Sequence, residues 1–384
     1  MGRGRRAKVA AAALLILAAL LLLLILCTQI RRSSHGRRAM HNCYLFHGSW
    51  VYDVNDEDEK IIRIMIINIT NRTMYPPIVP SYRKSSIANA TVVPTNSTSA
   101  TDGSPPATLP GRFDGGDLLG RLRGKRIMFV GDSLSLNQWQ SLTCMLHVAV
   151  PDAIYSSNRS GELSTFRFPE YNASIMFLRN PFLVDITREK IGRVLKLDSV
   201  NQSSAIWNGM DVLIFNSWHW WLHTGRKQPW DLVEQGDEIH KDMDRLVAYE
   251  KALNTWASWV ETSVDPAKTR VIFQGVSPDH DKGSDWGQPG ATCEGQWGPV
   301  TGPTYPGGPH PAQVVVERVL KRMKRRQVHL LDITALSQFR KDGHPSVYGL
   351  GGSKGLDCTH WCLPGLPDAW NHLLYSSILR PTLI

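Results

Sequence analysis

The sequence lacks several features that would assign a function directly. It has no glycine-rich nucleotide-binding loop and no internal repeat, and only six of its 384 residues are cysteine. The formal net charge is +9 at pH 7, but nearly all of it can be assigned to eight basic residues among the first 38. The rest of the chain is close to neutral and has no strongly basic surface for a polyanion. We therefore expect no nucleic acid partner. Without a nucleotide-binding loop, the sequence does not identify any activated co-substrate.

One long apolar run is present near the N-terminus. Residues 9–27 (VAAAALLILAALLLLLILC) carry no charge, and about 20 apolar residues are needed to cross a bilayer. The run is longer than the core of a signal peptide, and no small-residue cleavage site follows it. We predict a cytosolic tail over residues 1–8, a transmembrane signal anchor over residues 9–27 and a stem over residues 28–42.

Glycosylation sequons indicate the orientation of this anchor. Basic residues do not, because four precede the run and four follow it. Asn-x-Ser/Thr sequons, which are acceptors in secreted proteins, begin at Asn68, Asn71, Asn89, Asn96, Asn158, Asn172 and Asn201. We therefore expect a single-pass type II membrane protein whose body lies in the secretory lumen.

The residues after the stem divide into two regions of different composition. Residues 43–111 begin with CYLFHGSWVYD and end in PTNSTSATDGSPPATLPG, a composition typical of a glycosylated linker. From residue 112 onward, short apolar runs alternate with helical segments, which is typical of a parallel sheet between helices. We predict an α/β/α sandwich with a parallel central sheet over residues 112–384. The predicted strands are 126–130, 173–178, 211–215, 270–274 and 328–333, and the predicted helices are 237–261 and 312–326.

Polar motifs follow several of these strands. Ligands of parallel α/β sheets bind beyond the carboxyl ends of the strands, and Gly-Asp-Ser with Ser133 follows the first predicted strand. Asn216, in NSWHWW, follows the third and could donate to an oxyanion. Near the C-terminus, Asp357 and His360 are three residues apart, which allows a carboxylate to orient an imidazole that takes a serine proton.

Each motif alone also has an ordinary structural interpretation. Asp132 and Ser133 are residue types that cap helices, Asn216 is a type that caps turns, and an Asp-x-x-His pair occurs by chance in many chains. Four residues near the C-terminus are of types that bind metals: Cys358, His360, Cys362 and His372. Because cysteines of a secretory protein usually form disulfides, we predict no metal site. The order of nucleophile, amide and Asp-His pair favours a serine esterase-like site.

Longer segments carry a resemblance to a known family. They are CYLFHGSWVYD, LRGKRIMFVGDSLSLNQWQSL, FNSWHWW, TCEGQ and DCTHWCLPGLPDAWN. The sequence resembles the plant trichome birefringence-like family of polysaccharide O-acetyltransferases, which is related to the Gly-Asp-Ser (SGNH) esterases. The resemblance implies an SGNH-esterase-like fold in a Golgi membrane protein that acetylates hydroxyls of a cell-wall polysaccharide. Xylan is the commonest target that the family implies, and mannan, xyloglucan and pectin are also possible. No cofactor is implied to be bound, but an acetyl donor is required, either acetyl-CoA or an acetylated intermediate.

The resemblance also implies roles for individual residues. Ser133 would be the nucleophile that carries the acetyl group, His360 the base and Asp357 its orienting partner. The oxyanion hole would be formed by Asn216 with the backbone around Gly131 and Ser133. Arg179 matches a family position and would be a site residue that contacts substrate. From the sequence itself, His219 is expected to contact substrate, and three aromatic residues could stack on sugar rings or equally be packed in the core: Trp218, Trp220 and Trp221. A disulfide would join Cys293 to Cys358.

The N-terminal region departs from the family pattern, which has a module rich in cysteine. No cysteine lies between Cys43 and Cys144, so residues 43–111 resemble a reduced, degenerate lobe with a linker. Cys43 and Cys362 lose their usual partners and could pair with each other. Two other functions stay open: an acetyl esterase, if water attacks the acetyl-enzyme, and an inactive glycan-binding relative.

Overall fold

The computed structural model describes four short strands between residues 48 and 92, and then residues 113–325, 327–349 and 355–379. The predicted tail, anchor and stem lie outside the described residues, as does most of the region 43–111 with the sequons at Asn71, Asn89 and Asn96. None of the helices within the described part of the chain is both long and apolar enough to cross a membrane.

The described residues contain seven α-helices and fifteen strands. The helices are α1 Gly115–Arg121, α2 Ser133–Ala149, α3 Asn201–Trp207, α4 Arg245–Ser263, α5 Pro311–Arg322, α6 Thr334–Gln338 and α7 Leu366–Leu379. The strands are β1 Gly48–Val51, β2 Ile62–Arg63, β3 Ile66–Ile69, β4 Thr91–Val92, β5 Arg126–Gly131, β6 Ser156–Ser160, β7 Leu163–Phe168, β8 Ala173–Arg179, β9 Asp185–Glu189, β10 Gly192–Lys196, β11 Val212–Phe215, β12 Leu232–Gln235, β13 Glu238–His240, β14 Arg270–Gln274 and β15 Val328–Leu331.

A seven-stranded sheet forms the centre of the fold, in the order β15-β14-β11-β5-β8-β7-β6. The first five of these strands are parallel to one another, and they are the five strands predicted from apolar runs. Strands buried on both faces are nearly continuous apolar sequences, which is why they could be recognised. The sheet is not wholly parallel, however, because β7 and β6 extend it in the antiparallel sense.

Helices cover both faces of this sheet. On one face, Met128 and Val130 of β5 join a buried cluster that includes Trp256 of α4 and apolar residues of α5. On the other face, α2 packs against β5 and β8, and α7 packs against α2. The indole N–H of Trp139 in α2 donates to the carbonyl of Ile175 in β8, at 3.0 Å. The central sheet is therefore a buried layer between helices.

Two helix boundaries differ from those predicted. The helix predicted over residues 237–261 begins at Arg245, where the Asp244 carboxylate caps the N–H groups of Leu246 and Val247 at 3.0 Å each. Of the residues predicted to be helical before it, Glu238–His240 form β13, which belongs to a second sheet with the order β13-β12-β10-β9. Ile239 continued the helical spacing by coincidence, since its side chain is exposed in that strand. The helix predicted over residues 312–326 ends at Arg322.

Candidate active site

The Gly-Asp-Ser motif forms the junction between β5 and α2. Strand β5 ends at Gly131, Asp132 is the N-cap, and Ser133 is the first residue of α2. One oxygen of the Asp132 carboxylate accepts the N–H of Leu134 at 2.9 Å, and the other accepts the N–H of His219 at 3.2 Å. Burial raises the pKa of this carboxyl. Asp132 thus both caps the helix and ties the serine turn to the loop after β11.

Ser133, His360 and Asp357 form a continuous chain of hydrogen bonds. The His360 Nδ1 atom lies 3.1 and 3.0 Å from the two carboxylate oxygens of Asp357, and its Nε2 atom lies 2.8 Å from Ser133 Oγ. An ionised carboxylate can only accept, so Nδ1 carries a proton and Nε2 of the neutral ring accepts from the serine hydroxyl. This tautomer is the one that can remove the serine proton.

The carboxylate of Asp357 is held in its ionised form. Burial raises the pKa of Asp357, but hydrogen bonds from the side chain and backbone N–H of His360, and from the backbone N–H of Thr359, outweigh burial and lower that pKa to about 2. The negative charge next to His360 is therefore present at any pH at which the protein is expected to work.

Local contacts on several sides fix the segment that carries Asp357 and His360. Backbone hydrogen bonds of 2.9 and 3.0 Å pair Asp357 with Ser346. The next residue, Cys358, forms a disulfide with Cys293, the pairing that the family resemblance implied. A native disulfide typically contributes a few kcal/mol to stability, so this segment is firmly attached to the rest of the domain.

Asn216 lies beside the serine turn because β11 is the neighbour of β5. Its backbone N–H donates to the carbonyl of Val130 at 2.9 Å, and its side chain is buried, with 2% exposed. A Cβ atom at Gly131 would lie 2.5 Å from the carbonyl oxygen of Asn216 and 2.5 Å from Ser135 Oγ. Only glycine permits this close approach of the two strand ends.

Arg179 lies on the opposite side of the serine turn. It ends β8 and is the register partner of Gly131, and its guanidinium is 5.7 Å from the centre of the Trp220 ring. Both side chains are partly exposed. These two predicted substrate residues therefore lie close together and close to the end of the strand that leads to Ser133.

The other tryptophans of the NSWHWW motif are buried. Trp221 has no exposed surface and packs against Phe182 and Tyr249, while its indole N–H donates to Ser217 Oγ at 2.9 Å. The prediction that Trp221 contacts substrate is corrected, because none of its surface is exposed. Trp218 is 7% exposed, so it too presents little surface to a ligand.

His219 lies next to the hydrogen-bonded chain. Its ring centre is 6.3 Å from that of His360 and 5.6 Å from that of His223. Burial, together with these two neighbouring histidines, lowers the pKa of His219 to about 4. His219 is thus neutral at neutral pH, and it adds no positive charge that would oppose the effect of the Asp357 carboxylate on His360.

The remaining predicted residues are glycosylation sites and cysteines. The sequon asparagines Asn158, Asn172 and Asn201 are exposed, and the side chain of Asn68 lies outside the described part. Among the described cysteines, Cys362 forms no disulfide, and Cys43, its possible partner, lies outside the described residues.

Asn137 forms hydrogen bonds beside the site that were not predicted from the sequence. It lies one turn after Ser133 on α2 and is 7% exposed. Its Oδ1 atom accepts the N–H of Trp361 at 2.8 Å, and its Nδ2 atom donates to the Trp361 carbonyl at 3.2 Å. Because Trp361 follows His360, this amide fastens the histidine loop to the helix of the serine. The only signal was a polar residue on the buried face of a helix.

A serine joined through histidine to a carboxylate, at the carboxyl edge of a parallel sheet, is the arrangement of acyl esterases and acyltransferases. Comparison with known proteins leads to the same class. The GDSL/SGNH-like acyl-esterase family found in Pmr5 and Cas1p matches residues 109–377, more than half of the chain.

Curated relatives refine this assignment. The chain is 58% identical to protein trichome birefringence-like 43 of Arabidopsis thaliana over 273 residues, which are 70% of this chain and 74% of that protein. It is 48% identical to protein trichome birefringence-like 39 of the same plant over 336 residues, which cover 88% and 87% of the two chains. The chain belongs to this trichome birefringence-like family, as its motifs predicted.

Proposed function

We propose that this chain is an O-acetyltransferase that moves an acetyl group to a hydroxyl of a cell-wall polysaccharide, most simply xylan, through an acetyl-serine intermediate. The observation that carries the proposal is the hydrogen-bonded chain from Asp357 through His360 to Ser133. Family membership supports the acyl chemistry, and the resemblance of the motifs to polysaccharide O-acetyltransferases supports the acceptor class.

In the first half of the reaction Ser133 takes the acetyl group. His360 Nε2 accepts the hydroxyl proton while Ser133 Oγ bonds to the acetyl carbon of the donor, and the carbonyl oxygen becomes negative. The Asn216 amide and the backbone N–H groups from Gly131 to Ser133 are the donors proposed to meet this charge, each worth about 3 to 4 kcal/mol. The tetrahedral species then expels the donor's leaving group, which receives the proton from His360.

In the second half a sugar hydroxyl replaces the donor. His360, neutral again, accepts the hydroxyl proton as the sugar oxygen attacks the acetyl carbon. Collapse breaks the bond to Ser133 Oγ, and His360 returns the proton to the serine. The donor supplies all the acetyl carbons and oxygens, so the reaction needs no other co-reactant.

The acceptor is proposed to lie along the partly exposed rim of the site. Arg179 and the Trp220 ring can contact sugar hydroxyls and a pyranose face. Tyr348, which the sequence analysis did not single out, is 77% exposed and lies two residues from Ser346, the backbone partner of Asp357. We propose that it belongs to the same rim.

We also propose that the reaction takes place in the Golgi lumen, with the acetyl donor delivered to the luminal side. The apolar residues 9–27 support a single-pass type II anchor in the Golgi membrane. The exposed sequon asparagines Asn158, Asn172 and Asn201 are available for luminal glycosylation.

Acetyl ester hydrolysis is the second candidate function, favoured by the family description as acyl esterases. The same groups would act on water in place of a sugar. The deciding test incubates the full chain with xylo-oligosaccharides and acetyl-CoA, and separately with acetylated xylo-oligosaccharides, and follows both by mass spectrometry. Acetylated product in the first mixture supports transfer. Deacetylation in the second mixture without transfer in the first establishes the esterase. If folded protein whose Ser133 does accept an acetyl group from acetyl-CoA carries out neither reaction, xylan is rejected as the substrate.

Replacing Asn216 with alanine is expected to lower kcat roughly 10²- to 10³-fold, because one preorganised donor to the oxyanion is removed. The change in KM should be small, since this donor acts on charge that develops only in the transition state. Steady-state kinetics on the acetylated product measure both constants. Asn208→Ala, an exposed asparagine after α3, is the matched control. A kcat for Asn216→Ala equal to that of the control would remove Asn216 from the oxyanion hole.

A further inference from the structure

Two histidines are buried directly behind the loop that carries His360. His280, in the loop after β14, has no exposed surface, and His344, in the loop after α6, is 6% exposed. His280 Nε2 lies 2.8 Å from the Gln338 carbonyl oxygen, and His280 Nδ1 lies 2.7 Å from His344 Nε2. His344 Nδ1 lies 2.7 Å from the carbonyl oxygen of His360 itself.

The number of protons in this chain follows from its two ends. A carbonyl oxygen can only accept, so His280 Nε2 and His344 Nδ1 must both donate. The contact between the two rings requires one further proton, which makes three for the three contacts. Two neutral imidazoles carry one ring proton each. With only those two protons, one short contact would place two lone pairs against each other.

The surroundings act on this extra proton in both directions. Burial disfavours it and lowers the pKa of His280 to about 4 and that of His344 to about 3. The three short contacts must therefore outweigh burial for the pair to keep the extra proton at neutral pH. The carbonyl oxygens favour it, and so does the Trp361 ring, which stacks on His344 with the ring centres 4.0 Å apart. The other titratable groups acting on the pair are the carboxylates of Asp285, Asp342 and Asp357, which favour the charge, and Lys341 and His360, which oppose it.

We propose that His280 and His344 share a third proton and, in that form, act as positioning residues that hold the backbone carbonyl of the catalytic histidine. The pair then carries one positive charge between its rings and hydrogen-bonds both carbonyls at once. When the extra proton leaves as pH rises, one end of the chain must open. The inference concerns the same site as the proposed acetyl transfer and rests on it for its kinetic consequence alone.

Counting the ring protons tests the charge without any assay of activity. The full chain, labelled with 15N-histidine, would be studied by NMR through proton–nitrogen correlations at neutral pH, with His280→Gln and His344→Gln used to assign the signals. The proposal expects three ring N–H protons on the pair, with one ring protonated on both nitrogens or exchanging that state with its neighbour. Two protons, one on each ring, would overturn it.

A kinetic experiment tests the positioning role. His344→Phe should lower kcat roughly tenfold to a hundredfold, because a small displacement of a catalytic group has effects of this size, while KM stays nearly constant. In the wild type kcat should fall on the alkaline side as the pair loses its proton. His280→Gln keeps a neutral donor to His344 and should lose that alkaline fall.

The control and the contrary results can be separated from failure of the proposed function. His240→Gln, a histidine of the second sheet, should behave as the wild type. An unchanged alkaline fall in His280→Gln, or normal kcat in His344→Phe, would overturn the positioning role. If the wild type has no transferase activity at all, the proposed function fails, while the NMR count still decides whether the pair holds three protons.

Discussion

Replacing Ser133 with alanine is expected to lower kcat for acetyl transfer by roughly 10⁶-fold, close to the loss seen when a serine nucleophile is removed from a comparable chain of groups. Within the part of the chain that the structure describes, the Ser133 hydroxyl is the nucleophile that contacts His360 Nε2, at 2.8 Å. Removing it should leave the fold intact, because Ser133 is not the N-cap of α2. That role belongs to Asp132.

Mass spectrometry of the intact protein and of its proteolytic peptides makes this test specific. After mixing with an acetyl donor and no acceptor, the wild type should gain one acetyl group on the peptide that contains Ser133, and Ser133→Ala should gain none. Ser157→Ala, an exposed serine in β6, is the control and should be acetylated as the wild type. Stable acetylation of Ser133→Ala at another residue would contradict the acetyl-serine mechanism.

The central strands and the serine turn could be predicted from sequence because their signals are local. A buried parallel strand such as β14 is a continuous apolar run, RVIFQ, and its position predicts where reactive side chains will follow. Ser133 and Asn216 were found by this rule, whereas the Asp357–His360 pair was found by its three-residue spacing near the C-terminus. The proximity of Ser133 and Asn216 results from the pairing of β5 with β11, and the Asp357–His360 segment is held in place by its own contacts with Ser346 and Cys293.

Other features depend on contacts that no local pattern records. Strand β6, SSNRS, is polar and exposed throughout, so nothing in its sequence distinguishes it from a loop until β7 pairs with it. Trp220 and Trp221 are adjacent and chemically identical, yet one lies at the rim and the other in the core. Both lie in the short 3-10 helix His219–Leu222, and no local pattern distinguishes the fully buried Trp221 from the partly exposed Trp220.

The polar contacts behind the site are the least predictable part. Asn137 reaches Trp361 across 224 residues, and His280 reaches His344 across 64. Buried polar groups need partners, so each such residue signals that a partner exists without indicating which one. In this protein several of these partners are in the segment around His360, and they hold that segment against α2 and against the loops after β14 and α6.

Replacing Asp357 with asparagine is expected to lower kcat roughly 10⁴-fold, although the two side chains have nearly the same shape. An asparagine amide can donate to His360 Nδ1 and so favours the tautomer with the proton on Nε2. That proton would face Ser133 Oγ and prevent His360 from accepting the hydroxyl proton. Steady-state kinetics should show a loss in kcat with little change in KM, and Asp265→Asn, an exposed aspartate, should have wild-type kinetics.

The same carboxylate also predicts a dependence of stability on pH. The pKa of Asp357 is lowered from its ordinary value of 3.8 to about 2 in the folded protein. Its contribution to stability is therefore present above the unfolded pKa and is lost as pH falls toward 2. Asp357→Asn removes this titration, so its acid-unfolding curve should be less steep than that of the wild type in this range. Equal acid-unfolding curves for the wild type and Asp357→Asn would mean that the hydrogen bonds to His360 and Thr359 do not stabilise the ionised carboxylate. If the loss in kcat were also small, Asp357 would be excluded as the partner of His360.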